Sequence, residues 1–216
     1  MILPPFYPIL DTALIEQRGI GTVAAAEALI EAGVRILQLR HKGFFSRAAF
    51  EEAGRIAEMC RRAEVLFVVN DRADVAKLLD AALHLGQDDL TPSDAQKIVP
   101  AENILGFSTH NEQQLQAADA EPVDYLAFGP IFATGSKLNP DPVVGLDRLR
   151  TLRELTRKPL VAIGGITRDL APEVFKAGAD SVAIIGDLCT GVSLRARAEE
   201  WIAISDDARA RAARPR

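Results

Sequence analysis

Two aspartates, Asp71 and Asp89, each follow a short apolar run. Asn70-Asp71-Arg72 comes after Val65-Leu66-Phe67-Val68-Val69, and Gln87-Asp88-Asp89 after Ala81-Ala82-Leu83-His84-Leu85. If the two runs are neighbouring parallel strands, both carboxylates reach one rim of a sheet. A pair of carboxylates there suits Mg2+, which takes hard oxygen ligands and completes its shell with water and substrate phosphate. A basic set, Gln38-Leu39-Arg40-His41-Lys42, closes an earlier run. Alternation puts Gln38, Arg40 and Lys42 on one side of an extended chain. An amide and two cations suit a diphosphate and a polar ring. A metal beside fixed cations is what the departure of diphosphate requires.

Later runs end in groups of a different kind. Gly106-Phe107-Ser108-Thr109-His110 offers small hydroxyls to a phosphate. No triad partner accompanies Ser108, so a covalent serine nucleophile is a poor reading. His110 is read either as a proton carrier or as the first residue of the next helix, and His84 as a packed core histidine. The loop Gly129 to Lys137 holds Thr134, Gly135, Ser136 and Lys137, and reads as a flexible anion-binding flap. Ile163-Gly164-Gly165-Ile166 and Ile185-Gly186-Asp187 place glycines where backbone N–H groups can approach a phosphate. Two anion sites follow, one metal-assisted and one a backbone cradle. The chain is expected to bring a diphosphate and a monophosphate together.

The elements that must position these groups alternate. Eight apolar runs are expected as strands: Tyr7 to Leu10, Arg35 to Leu39, Val65 to Val69, Ala81 to Leu85, Asn103 to Gly106, Tyr125 to Phe128, Leu160 to Ile163 and Ser181 to Ile185. Amphipathic stretches fit between them, and Ala24, Ala25, Ala28 and Leu29 show the helical recurrence. Ser46 and Thr91 read as helix caps, Thr91 with Pro92 in the first turn. Ala32-Gly33 and Ala177-Gly178 read as left-handed helix ends. Eight strand–helix pairs in 216 residues predict an α/β chain folded as a single (β/α)8 TIM barrel over residues 1–216. Active sites of such barrels sit at the C-terminal ends of the strands, where all the groups above fall. Residues 205–216, rich in Ala and Arg, are expected to fray.

Composition narrows the function. Apolar residues make up 48%, enough for a large core. A net charge of −5 argues against a broad nucleic-acid footprint and leaves a local basic pocket for a small anion. Cys60 and Cys189 stand apart from any ligand spacing and read as buried apolar residues in a reducing cytosol. No apolar run has the length of a membrane span. Met1-Ile2-Leu3-Pro4-Pro5 lacks the basic start of a signal peptide, so a cytoplasmic protein is expected. The expected partners are small-molecule substrates, with no nucleic acid and no membrane; a homo-oligomer is left open.

With these residues in view, the chain resembles the thiamine-phosphate synthase (thiamine-phosphate pyrophosphorylase) family over nearly its whole length. The resemblance rests on Gln38-Leu39-Arg40-His41-Lys42, Asn70-Asp71-Arg72, His84-Leu85-Gly86-Gln87-Asp88-Asp89, Gly106-Phe107-Ser108-Thr109-His110, Gly129-Pro130-Ile131-Phe132, Ala162-Ile163-Gly164-Gly165-Ile166 and Gly178-Ala179-Asp180. Their order and spacing together are specific.

The resemblance implies a transferase of thiamine biosynthesis. It joins 4-amino-2-methyl-5-hydroxymethylpyrimidine diphosphate to 4-methyl-5-(2-hydroxyethyl)thiazole phosphate and releases thiamine phosphate and diphosphate. It also implies Mg2+ on Asp71 and Asp89. Gln38, Arg40, Lys42, Asn70, Ser108 and Lys137 would contact the pyrimidine diphosphate. Thr134, Ser136, Gly165, Ile185 and Gly186 would cradle the thiazole phosphate. Leu39, His41 and Gly135 are counted with the substrate-binding residues, and Arg40, Lys42, Ser108 and Lys137 with the catalytic ones. The chain departs from the family pattern at His41, where glutamate is usual, and at Gly186, where serine is usual. The flap reads Ala133-Thr134-Gly135-Ser136-Lys137 instead of Pro-Thr-x-Thr-Lys, and the Asp71 to Asp89 segment is one residue short. Two alternatives are a thiazole tautomerase paralogue working through His110 and a non-catalytic barrel that binds a thiazole or thiamine phosphate.

Overall fold

A computed structural model of the chain describes residues 2–135, 141–191 and 193–213. Eight strands close a barrel in sequence order: β1 (Phe6–Asp11), β2 (Ile36–Arg40), β3 (Leu66–Asn70), β4 (Ala82–Leu85), β5 (Leu105–Thr109), β6 (Tyr125–Phe128), β7 (Leu160–Ile163) and β8 (Ser181–Ile184). Every neighbouring pair is parallel, β8 with β1 included. The α/β barrel expected from the alternation is therefore present. Helices α1 (Thr12–Gln17), α2 (Thr22–Glu31), α3 (Arg47–Arg62), α4 (Ala73–Leu78), α5 (Pro92–Ala95), α6 (Glu112–Asp119), α7 (Gly145–Arg153), α8 (Ala171–Lys176) and α9 (Leu194–Ala212) lie between and after the strands.

Strand parity sorts the side chains into two layers. Leu10, Leu37, Leu39, Val69 and Leu83 face outward and pack with helix residues such as Leu29, Ile56 and Trp201. Tyr7, Ile9, Ile36, Val68, Ala82, Tyr125, Ala127, Val161 and Ala183 fill the barrel itself. One-residue alternation thus decides which groups reach the mouth.

Local signals act as expected at several ends. Ser46 accepts from Ala49 N at 3.2 Å and caps α3. Thr91 accepts from Asp94 N, with Pro92 in the first position of α5. Gly33 and Gly178 take positive φ after α2 and α8, as the Ala-Gly turns predict.

Two elements differ from expectation. Helix α1 directly follows β1 and is too short for its periodicity to show; Asp11 starts it by accepting from Leu14 N at 3.1 Å. Residues 205–212 continue a helix instead of fraying; residues 214–216 lie outside the described residues. Helix α9 continues to Ala212, Ser205 and Ala208 are buried, and Arg209 donates to the Leu3 carbonyl at 2.6 Å. The buried positions of its last turns, Ser205 and Ala208, are small, so composition suggests a tail where packing makes a helix.

Candidate active site

The strand ends assemble the predicted groups on one rim. Asp71 follows β3 and has φ of +65°, a conformation rare outside glycine. Its backbone N donates to the His84 carbonyl on β4 at 2.8 Å. This turn does not make Asp71 a helix cap, because Arg72 occupies that position and no side chain caps α4. Strain at a polar residue on a strand end is typical of sites where the surroundings hold a side chain for use.

The Asp71 carboxylate meets two partners. Lys42 Nζ donates to its Oδ2 at 2.5 Å. Asp89 also lies against it, and the Asp89 carboxylate accepts from Gly86 N at 2.7 Å. Burial raises the Asp71 pKa above the usual carboxylate range, Asp89 pushes it the same way, and Lys42 pulls it down. Two carboxylates this close repel each other, which favours a cation between them. Among the described residues no group of three or more His, Cys, Asp and Glu side chains gathers as a metal site. A two-carboxylate pair fits Mg2+, which keeps several waters and borrows substrate oxygens, better than it fits a metal bound wholly by side chains.

Arg40 closes β2 opposite Asp11 on β1 and forms an ion pair with it. Asp11 was not singled out in the sequence. Its only signal is that parallel pairing of β1 with β2 would set the carboxylate beside Arg40. Asn70 is buried at the end of β3, and its Nδ2 has no hydrogen-bond partner among the described residues. A buried, unpaired donor costs about 1–3 kcal/mol, so it suits a ligand acceptor.

Deeper in the barrel, Gln38 Nε2 donates to Tyr7 Oη at 2.8 Å. Tyr7 Oη and Tyr125 Oη are 2.8 Å apart, Tyr125 Oη and His84 Nδ1 3.0 Å, and His84 Nε2 and Ser108 Oγ 2.9 Å. His84 is buried as expected, yet it touches the Ser108 hydroxyl of the site. Tyr7 and Tyr125 carry no local signal as site residues, because each lies at the start of a strand among apolar residues.

Some predicted residues do not join the mouth through their side chains. Leu39 belongs to the outer layer between sheet and helices. His41 bonds Thr12 Oγ1 at 2.9 Å and the Phe44 carbonyl at 3.2 Å, beside a cavity of about 210 Å3 flanking the rim. His110 donates from Nδ1 to the Gly129 carbonyl at 2.6 Å, and its Nε2 lies 3.4 Å from Asp141 Oδ2. It therefore braces the base of the loop after β6. A second cavity, about 710 Å3, opens at the other end of the barrel around Leu3, Arg153 and Asp180. No strand-end group of the site lines it.

The late strands build the other side of the mouth. Gly164 and Gly165 follow β7 with φ of +99° and +63°. A Cβ on Gly164 would lie 2.5 Å from Pro130 Cα, and one on Gly165 2.3 Å from the Ala133 carbonyl oxygen. These glycines thus let the loop after β6 close down on β7, a steric demand in addition to any phosphate contact. Phe132 N donates to the Gly164 carbonyl at 3.0 Å and fixes that approach. Ile185 and Gly186 follow β8 and lead into a 3-10 turn, Gly186–Cys189. Asp187 in that turn accepts from Trp201 Nε1 at 2.7 Å, which ties the β8 end to α9. Thr134 and Gly135 lie in the loop after β6, whereas Ser136 and Lys137 fall outside the described residues.

A family model described as thiamine monophosphate synthase matches residues 6–188. The chain belongs to this family. It is 49% identical over 205 residues to a thiamine-phosphate synthase of Koribacter versatilis, covering 94% of this chain and 96% of that one. It is 38% identical to a Chloroflexus aurantiacus thiamine-phosphate synthase, covering 92% and 91%. Among solved structures, a thiamine phosphate pyrophosphorylase from Pyrococcus furiosus superposes with a TM-score of 0.84 at 31% identity, covering 95% and 96%. Neither the tautomerase nor the non-catalytic alternative gains support from these relatives.

Proposed function

We propose that this member of the thiamine monophosphate synthase family couples an aminopyrimidine methyl diphosphate with a thiazole phosphate, with Mg2+ as cofactor. The family makes it a transferase that forms thiamine phosphate. The observation that carries the reading is the contact of Lys42, Asp71 and Asp89 on the rim that also carries Arg40, Asn70 and Ser108.

In this reading Asp71 and Asp89 would hold Mg2+, which when bound would supply positive charge for a diphosphate leaving group. Lys42 and Arg40 supply fixed positive charge to the same oxygens, and Lys137 is assigned there by the resemblance. Gln38 and Asn70 hold the pyrimidine ring by its polar edge, and Ser108 donates to the diphosphate end. The carbon–oxygen bond to diphosphate breaks and leaves a cation stabilised by the aminopyrimidine. The thiazole nitrogen then forms the new carbon–nitrogen bond. No strong base is required. Residues Thr134, Gly135, Ser136, Gly165, Ile185 and Gly186 seat the thiazole phosphate, so the two reactants meet at close range. Among the described residues, no helix is long and apolar enough to cross a membrane. A cytoplasmic setting is part of the proposal, supported by two free cysteines.

The test incubates the purified protein with both substrates in Mg2+ and, separately, in EDTA. Thiamine phosphate is expected in the first and not in the second. Absence of product in Mg2+ overturns the reaction; an equal rate in EDTA overturns the metal.

A further inference from the structure

Barrel interiors are filled mainly by branched apolar side chains. Here, beside the apolar residues that fill it, five polar side chains from five strands cross the interior, in the order Gln38, Tyr7, Tyr125, His84, Ser108. Its ends, Gln38 and Ser108, are both residues assigned above to the pyrimidine diphosphate. Its middle is fully buried: Tyr7 is 1% exposed and Tyr125 0%.

The chain has a direction. Gln38 Nε2 donates to Tyr7 Oη. If Tyr125 also donated to Tyr7, the Tyr7 proton would be left without an acceptor in the core, at the cost of an unmade buried hydrogen bond. Tyr7 therefore donates to Tyr125, and Tyr125 donates to His84 Nδ1. That leaves the His84 proton on Nε2, from which it donates to Ser108 Oγ. Each proton is used once, and the Ser108 proton remains to be donated outward. At the opposite end, no bond among the described residues takes up Gln38 Oε1. Burial raises the pKa of both phenols above the tyrosine range, which keeps the two links protonated.

We propose that Tyr7, Tyr125 and His84 are positioning residues, which set Gln38 as an acceptor and Ser108 as a donor toward the aminopyrimidine diphosphate. The proposal rests on the functional reading above. It explains a polar stack that the barrel does not need for packing: an exocyclic amine donates, so it needs the Gln38 oxygen, and a phosphate oxygen accepts, so it needs the Ser108 proton. A reversed Gln38 amide would reverse every link and present the wrong partner at both ends. The order is built by small residues too, since Gly106 gives Tyr125 its room: a Cβ there would lie 2.0 Å from Tyr125 Cζ.

The test has two readouts. The chain has three histidines, so 15N-histidine NMR on the free protein resolves the His84 tautomer. An Nε2–H tautomer is expected in the wild type, shifting toward a mixture in Tyr125→Phe. An Nδ1–H tautomer in the wild type overturns the proposal. Kinetically, Tyr125→Phe and Tyr7→Phe each raise KM for the pyrimidine diphosphate about tenfold, while KM for the thiazole phosphate stays within about twofold. A purely structural role would move both or neither, and either outcome overturns the proposal. The tautomer is read without substrate, so failure of the coupling reaction, which would sink the functional reading, leaves that readout decisive.

Discussion

Arg40 and Asp11 sit opposite each other on adjacent parallel strands and pair as ions just inside the mouth. Both are largely shielded, with side-chain exposures of 17% and 7%. Asp11 also caps α1, so one carboxylate aims the guanidinium and starts a helix. Asn caps a helix about as well as Asp. Asp11→Asn therefore keeps α1 but leaves Arg40 without its counter-charge. Expected are a fall of about tenfold in kcat/KM for the pyrimidine diphosphate and a stability loss on the order of 1–3 kcal/mol. Steady-state kinetics and urea unfolding check the two parts separately.

The Asp71 pair predicts a separation of activity from folding. Asp71→Ala removes one carboxylate of the proposed metal pair and relieves its contact with Asp89. Coupling is expected to disappear while the thermal midpoint without Mg2+ stays near that of the wild type. The rise in midpoint that Mg2+ gives the wild type is expected to vanish as well. A variant that makes thiamine phosphate at the wild-type rate would refute the role of Asp71.

Gly106 on β5 faces the Tyr125 phenol so closely that no side chain fits between them. Gly106→Ala is expected to displace the ring and cost about 3 kcal/mol, the scale of overpacking a dense core. Denaturant unfolding measures this directly. An unchanged midpoint would mean that the ring moves aside freely.

The two cysteines are expected to differ in reactivity because they differ in burial. Burial pushes the Cys60 thiol up to about 12 and also raises that of Cys189, which is less fully buried. At pH 8 an alkylating reagent is expected to modify Cys189 first and Cys60 only after unfolding. Raised folded pKa values carry a sign: the stability tied to Cys60 is fully present below the unfolded thiol pKa. It is lost as pH rises through the ordinary thiol range toward about 12. Equal labelling rates for both cysteines in the native protein would contradict this.

What could be read in advance follows the range of the signal. Each strand is a local apolar run, and all eight appear, with β5 shifted to Leu105–Thr109 from the expected Asn103 to Gly106. The rim residues were legible because charge at the end of an apolar run is a local pattern. Asp11, Tyr7 and Tyr125 were not, because their partners lie 29, 118 and 41 residues away. A tyrosine in a strand looks like core until the barrel closes and sets another hydroxyl against it. His41 and Leu39 were placed by neighbourhood in the motif, and strand parity turns their side chains elsewhere.

The last turns of α9 give a test of the same distinction between composition and packing. Residues from Ser205 onward are rich in Ala, Arg and Asp, with few large apolar side chains. Yet Ser205 and Ala208 are buried against the barrel, and Arg209 reaches the Leu3 carbonyl ahead of β1. The helix thus joins both ends of the chain near the closing β8–β1 seam. Deleting residues 205–216 removes these contacts and exposes the apolar surface under them. The expected loss is on the order of 2 kcal/mol, or about 4–8 °C in thermal midpoint. Substrate KM values should hold, because no mouth residue lies in the deleted part. A midpoint unchanged by the deletion would mean that the segment contributes no packing and behaves as the tail its composition suggests.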